Sequence, residues 1–139
     1  MYLIDTNVIS ESRKGARAHP GVIKFFSDVR RDGAALYLSA ITIGELRRGA
    51  DLIRYRGDLD QATRLDHWIQ AILAEHADCI LSFDLDVAQV WGRLRVPHHE
   101  NAIDKQIAAT ALVYDLTLVT RNTPDFTATR CRMINPFFS

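Results

Sequence analysis

Short apolar runs alternate with amphipathic helical stretches along the whole chain, and this alternation most constrains the fold. Residues 2–4, 35–38, 79–81, 116–120 and 132–134 read as five short strands, rich in β-branched, aromatic and aliphatic side chains. Between them the apolar positions recur at helical spacing. Val22, Phe25, Phe26 and Val29 form one stripe; Ile43, Leu46, Ala50 and Ile53 form a second. Leu65, Ile69, Ile72 and Leu73 form a third, in the longest predicted helix, 59–77. Further helices are expected over 7–14, 85–96 and 102–114. Residues 121–129 read as a polar loop. Strands that alternate with helices predict an α/β domain with a parallel sheet wrapped by helices.

At 139 residues the chain is long enough for one sizeable core, so residues 1–139 are expected to form a single domain. No apolar run reaches the ~20 residues of a membrane span, and the N-terminus carries no basic-then-apolar leader. A cytoplasmic protein without membrane contact is the expectation. Cys79 and Cys131 have neither disulfide-framework nor zinc spacing and read as reduced core thiols. The 17 basic and 17 acidic residues balance, so net charge alone argues for no nucleic-acid partner. Fourteen of the basic residues are Arg, however, and many are paired, as in Arg30-Arg31 and Arg47-Arg48. Arg is the side chain that grips phosphate in bidentate fashion.

The acids carry the chemistry. Asp5 stands where the first strand runs out, followed by Thr6 and Asn7, residue types that cap a helix. Glu45 lies in the first turns after the second strand. Asp104 opens the helix before the fourth strand, and Asn122 and Asp125 follow that strand. In a parallel sheet these points gather at the carboxyl ends of the strands, where open α/β sheets bind ligands. Each residue alone has an ordinary explanation as a cap, a solvated helix charge or a loop acid, so their common position is what matters. Gathered carboxylates repel unless a cation neutralises them, and oxygen-only donors suit Mg²⁺ or Mn²⁺. The chemistry that follows is metal-assisted phosphodiester hydrolysis, with one carboxylate taking the proton of the attacking water.

The ordered set Asp5-Thr6-Asn7-Val8, Ile43-Gly44-Glu45-Leu46 with Gly49, Asp104 with Ile107-Ala108-Ala109-Thr110-Ala111, and Leu118-Val119-Thr120-Arg121-Asn122 with Asp125-Phe126 resembles the PIN-domain ribonucleases. Within them the chain looks like the VapC toxins of type II toxin–antitoxin pairs. The opening residues, Phe83-Asp84, Trp91-Gly92-Arg93-Leu94 and the closing Asn135-Pro136 are most similar to the FitB-type branch. The resemblance implies a three-layer α/β/α sandwich on a parallel sheet and Mg²⁺- or Mn²⁺-dependent endoribonuclease activity. Asp5, Glu45 and Asp104 would be metal ligands, and with Asp125 the catalytic acids. Thr6, Thr120 and Asn122 would support them. Many PIN domains carry an acid where this chain has Asn122, and the sequence leaves open whether Asn122 or Asp125 fills that place. The resemblance also implies a homodimer and a cognate antitoxin. That partner would lie in an apolar groove between the early helices and the long fourth helix, with Trp68 and Tyr55 as candidate anchors. Arg13, Arg47, Arg48 and Arg121, near the acids in sequence, are the candidate RNA contacts.

The residues admit three other readings. Phe83-Asp84-Leu85-Asp86 after a strand looks like the nucleophile motif of haloacid-dehalogenase phosphatases, but too little chain follows it for that larger fold, and Asp84 as a helix cap is simpler. The loop His98-His99-Glu100 offers transition-metal donors, although adjacent loop histidines rarely face one ion. The alternative to an enzyme is a catalytically silent PIN-fold module that binds RNA or a partner; intact Asp5, Glu45 and Asp104 argue against it.

Overall fold

A computed structural model describes residues 1–138. Five strands form one parallel sheet: β1 (Tyr2–Ile4), β2 (Leu36–Ser39), β3 (Ile80–Leu81), β4 (Thr117–Val119) and β5 (Met133–Ile134), in spatial order β3-β2-β1-β4-β5. Seven α-helices accompany them: α1 (Thr6–Ser12), α2 (Pro20–Asp32), α3 (Ala40–Tyr55), α4 (Leu59–Glu75), α5 (Leu85–Leu94), α6 (Ala102–Val113) and α7 (Thr123–Phe126). The expected α/β class and five-stranded parallel sheet are therefore observed. No helix among the described residues is long and apolar enough to cross a membrane.

The period-two rule of strands divides the core between the two faces of the sheet. On β1, Ile4 joins a cluster with Val8, Ile9, Val22, Leu46, Ala50, Ile69 and Ile72, which covers one face with α1 to α4. Leu3 points the other way, to Ile107, Ala108, Ala111 and Phe126 of α6 and α7. Val119 and Leu118 of β4 divide between the same two clusters. Both faces being covered explains why these strands read as continuous apolar runs rather than alternating ones.

Three local expectations change. Residues 121–129 are not a loop, because α7 forms over Thr123–Phe126 with Pro124 in its first turn, and Phe126 is fully buried. Pro is favoured at a helix start because its missing N–H has no intrahelical partner there. The same rule moves the start of α2 back to Pro20, where a turn was expected. Cys79 lies in a 3₁₀ turn and is only half-buried, while Cys131 is the core thiol; both are free.

α2 starts against the end of the chain. The carbonyl oxygen of Pro136 lies 1.9 Å from where a Cβ on Gly21 would sit. Gly21→Ala should therefore destabilise the fold by about 1–3 kcal/mol through overpacking, although Ala is the better helix former by about 1 kcal/mol. Urea unfolding checks this; an unchanged or higher midpoint would show that the close approach carries no energy.

Candidate functional site: an acidic rim at the carboxyl end of the sheet

Asp5 follows the last residue of β1 and is 5% exposed. Its carboxylate does two jobs. Oδ1 accepts from the Thr6 N–H at 2.8 Å, capping α1. Oδ2 accepts from the Thr120 hydroxyl at 2.8 Å and from the Asn7 amide at 3.3 Å. Burial pushes the Asp5 pKa up, and the bonds from Thr120, Thr6 and Asn7 oppose that rise by favouring the charged form.

Thr120 is fully buried at the end of β4. Its oxygen donates to Asp5 and accepts from the Asn122 N–H at 3.1 Å, so it fixes both the carboxylate and the start of the loop that follows. The Thr6 hydroxyl turns the other way and donates to Thr42 at 3.4 Å; Thr6 serves Asp5 through its backbone.

The other acids arrive from three separate elements. Glu45 is half-buried in α3, which follows β2. Asp104 is half-buried in the first turn of α6, and Asp125 is exposed in α7. Their convergence is visible in the electrostatics of Asp104, whose pKa is raised to about 6, first by burial and then by the charges of Asp5, Asp125 and Glu45. Asn122 stands exposed before α7. Lys105 anchors the segment before α6, its buried ammonium donating to the His98 carbonyl.

The donor set is oxygen-only and anionic, which fits Mg²⁺ or Mn²⁺. No three His, Cys, Asp or Glu side chains among the described residues make a ready-made metal cage. The 98–100 loop offers no such cage either, and His98 and His99 are exposed. Asp84 is a cap and not a nucleophile. It accepts from the Val87 N–H at 2.9 Å and from the Tyr114 hydroxyl at 2.5 Å.

The arginines separate clearly. Arg47 pairs with Asp66 at 2.7 Å and Asp51 at 3.5 Å, joining α3 to α4 beside the Arg54–Asp66 pair. Arg13, Arg48 and Arg121 are exposed and make no ion pair among the described residues. Arg13 borders a groove of about 450 Å³ that begins at Thr6, Asn7 and Glu45 and ends on Leu65 and Trp68. A second groove of about 470 Å³ lies among α1, α2 and α4, lined by Val22, Phe26 and Ile72 together with Arg30, Glu75 and His76, and Trp68 lines it too. Tyr55 is 88% exposed.

Asn7, expected only as a capping residue type, joins the site. Its amide reaches Asp5, and its carbonyl oxygen accepts from the Arg121 N–H at 3.2 Å. The strand-end Asp-x-Asn was a signal for a cap, and only the neighbouring β4 turns it into a clamp.

A raised pKa means that protonated Asp104 is the form the fold prefers. Its contribution is fully favourable below about pH 3.8 and is lost as pH rises through about 6. Asp104→Asn should therefore raise the melting temperature of the metal-free protein at pH 7 by about 2–4 °C. The gain should vanish near pH 4. A variant that melts at the wild-type temperature at both pH values would contradict the crowding of charge at this rim.

The PIN domain family model matches residues 2–129. The chain is 37% identical to Toxin FitB of Neisseria gonorrhoeae over 145 residues, covering 99% of both. It is 33% identical to VapC ribonuclease Y4jK of Sinorhizobium fredii over 143 residues, covering 99% of this chain and 98% of the relative. Among solved structures, FitAcB from Neisseria gonorrhoeae superimposes with a TM-score of 0.83 at 34% identity, covering 100% of both chains. The chain belongs to the PIN-domain family, on its FitB-like branch.

Proposed function

We propose that this chain is a metal-dependent endoribonuclease and the toxin of a type II toxin–antitoxin pair. The observation that carries the chemistry is the meeting of four acids from four separate elements, sensed by Asp104 as a pKa of about 6. A fold does not keep repelling carboxylates together for stability, because each like charge costs energy. The relatives named Toxin FitB and VapC ribonuclease Y4jK support the reading of this rim as a nuclease site.

When bound, Mg²⁺ or Mn²⁺ would supply Lewis-acid shielding of a phosphodiester and a more acidic water. Asp5 and Asp104 would hold it, with Glu45 as ligand directly or through water. Thr120 and Asn7 fix the Asp5 carboxylate before any ligand arrives, which lowers the ordering cost of binding. Glu45 or Asp125 would take the proton of the attacking water. Asn122 can orient water through its side-chain oxygen but cannot accept a proton at neutral pH. Arg13, Arg48 and Arg121 would hold RNA phosphates. Arg47 would first have to leave Asp66.

The cognate antitoxin would lie along the groove among α1, α2 and α4 and reach the acids past Trp68, which lines both grooves. The expected homodimer belongs to this proposal and is read by sedimentation of the purified chain.

Purified, antitoxin-free protein should cut cellular RNA with Mg²⁺ or Mn²⁺ and not with EDTA. Asp5→Asn and Asp104→Asn should each lower the rate by at least about 10²-fold, the scale of losing one catalytic acid or base. Metal-independent cutting, or full activity in both variants, would contradict the proposal. A folded protein that neither cuts RNA nor binds Mn²⁺ would favour the silent partner-binding module.

A further inference from the structure

The turn that follows β5 is tied to the loop after β4 from several directions. The Thr120 N–H donates to the Ile134 carbonyl at 3.0 Å. The Asn135 amide donates to the Arg121 carbonyl at 3.2 Å, and Asn135 Oδ1 accepts from the Phe137 N–H at 2.9 Å, closing the turn. The Phe137 ring then faces the Arg121 guanidinium, with Cζ 4.8 Å from the ring centroid.

The far side of the turn is equally fixed. The Pro136 carbonyl lies against Gly21, and the Phe137 ring centroid stands 5.1 Å from that of His19. His19 Nδ1 accepts from the Gly21 N–H, while the His19 N–H donates to Glu11 at 2.9 Å. A rigid platform therefore stands behind Arg121.

Arg121 itself is joined to the acidic rim. Its N–H donates to Asn7, and the Asn7 amide donates to Asp5. Its guanidinium is on the surface and makes no ion pair within 4 Å among the described residues, although it stands near enough to the Glu11 carboxylate to help hold that pKa down. A cation stacked on an aromatic face keeps its N–H edges available for a planar anionic acceptor, and Arg is the side chain built for bidentate phosphate contact. If the turn were only a way to fasten the chain end, its aromatic ring would not have to face the one exposed cation joined by hydrogen bonds to Asp5.

We propose that the 135–137 turn is part of the substrate site, with Phe137 and Asn135 as positioning residues that hold Arg121 as a phosphate-binding arm for RNA beside Asp5. This rests on the ribonuclease reading and extends it to a named arm and its support.

The test reads binding apart from cleavage. The probe is a short fluorescein-labelled single-stranded RNA of mixed sequence, titrated in EDTA, where metal-dependent cutting cannot occur. Arg121→Ala and Phe137→Leu should each weaken binding by about threefold or more, the scale of a partly exposed cation–π contact. The double variant should bind no worse than Arg121→Ala alone, because Phe137 acts through Arg121. Phe137→Tyr, which keeps the ring, should bind like wild type. The salt slope should fall by about one phosphate contact in Arg121→Ala. Mn²⁺ affinity should be the same in all variants. Wild-type binding by Phe137→Leu, or losses that add in the double variant, would overturn the proposal. Wild-type cleavage with Mg²⁺ is followed in parallel. Cleavage without the coupling sinks the arm alone, and coupling without cleavage sinks the nuclease reading and keeps the arm.

Discussion

One hydrogen bond organises the site. The Thr120 hydroxyl donates to Asp5 at 2.8 Å across neighbouring parallel strands, joining residues 115 apart in sequence. Both partners are buried. A buried carboxylate is tolerated only when its lone pairs are satisfied, and Asp5 meets that condition with Thr6, Asn7 and Thr120. The bond can form because β1 and β4 are adjacent, and they are adjacent because both carry apolar side chains on both faces. The hydrophobic pattern thus fixes the register, and the register brings the hydroxyl to the acid.

From that point the arrangement spreads outward. Thr120 also receives the Asn122 N–H, and Asn7 receives that of Arg121, so the loop leading to α7 and Asp125 is set by the groups that hold Asp5. α3 and α6 each start at this end of the sheet and present Glu45 in the second turn and Asp104 in the first. The fold accepts mutual repulsion among these acids, which raises the pKa of Asp104. Perturbed acids gathered in this way mark a candidate functional rim, where stability is given up for function.

The strand and helix alternation, the caps at Asp5 and Asp84, and the common position of the acids were legible in the sequence because each depends on local chemistry or on the period of apolar residues. What escaped depends on contacts between distant segments. α7 was hidden because four residues give no periodicity, and only burial of Phe126 against the sheet makes it a helix. Arg47 sits two residues from Glu45 in sequence, yet its guanidinium is committed to Asp66 of the next helix. Asn7 and the 135–137 turn lie at opposite ends of the chain and acquire roles only where Arg121 meets both.

If Thr120 holds Asp5 ready for a cation, its loss is read in Mn²⁺ affinity, measured by paramagnetic titration. Thr120→Val keeps the shape and removes the donor. Mn²⁺ binding should weaken about 10–100-fold, the scale of losing a group that orients a metal ligand, in a protein that still folds. Wild-type affinity in a folded Thr120→Val protein would contradict it.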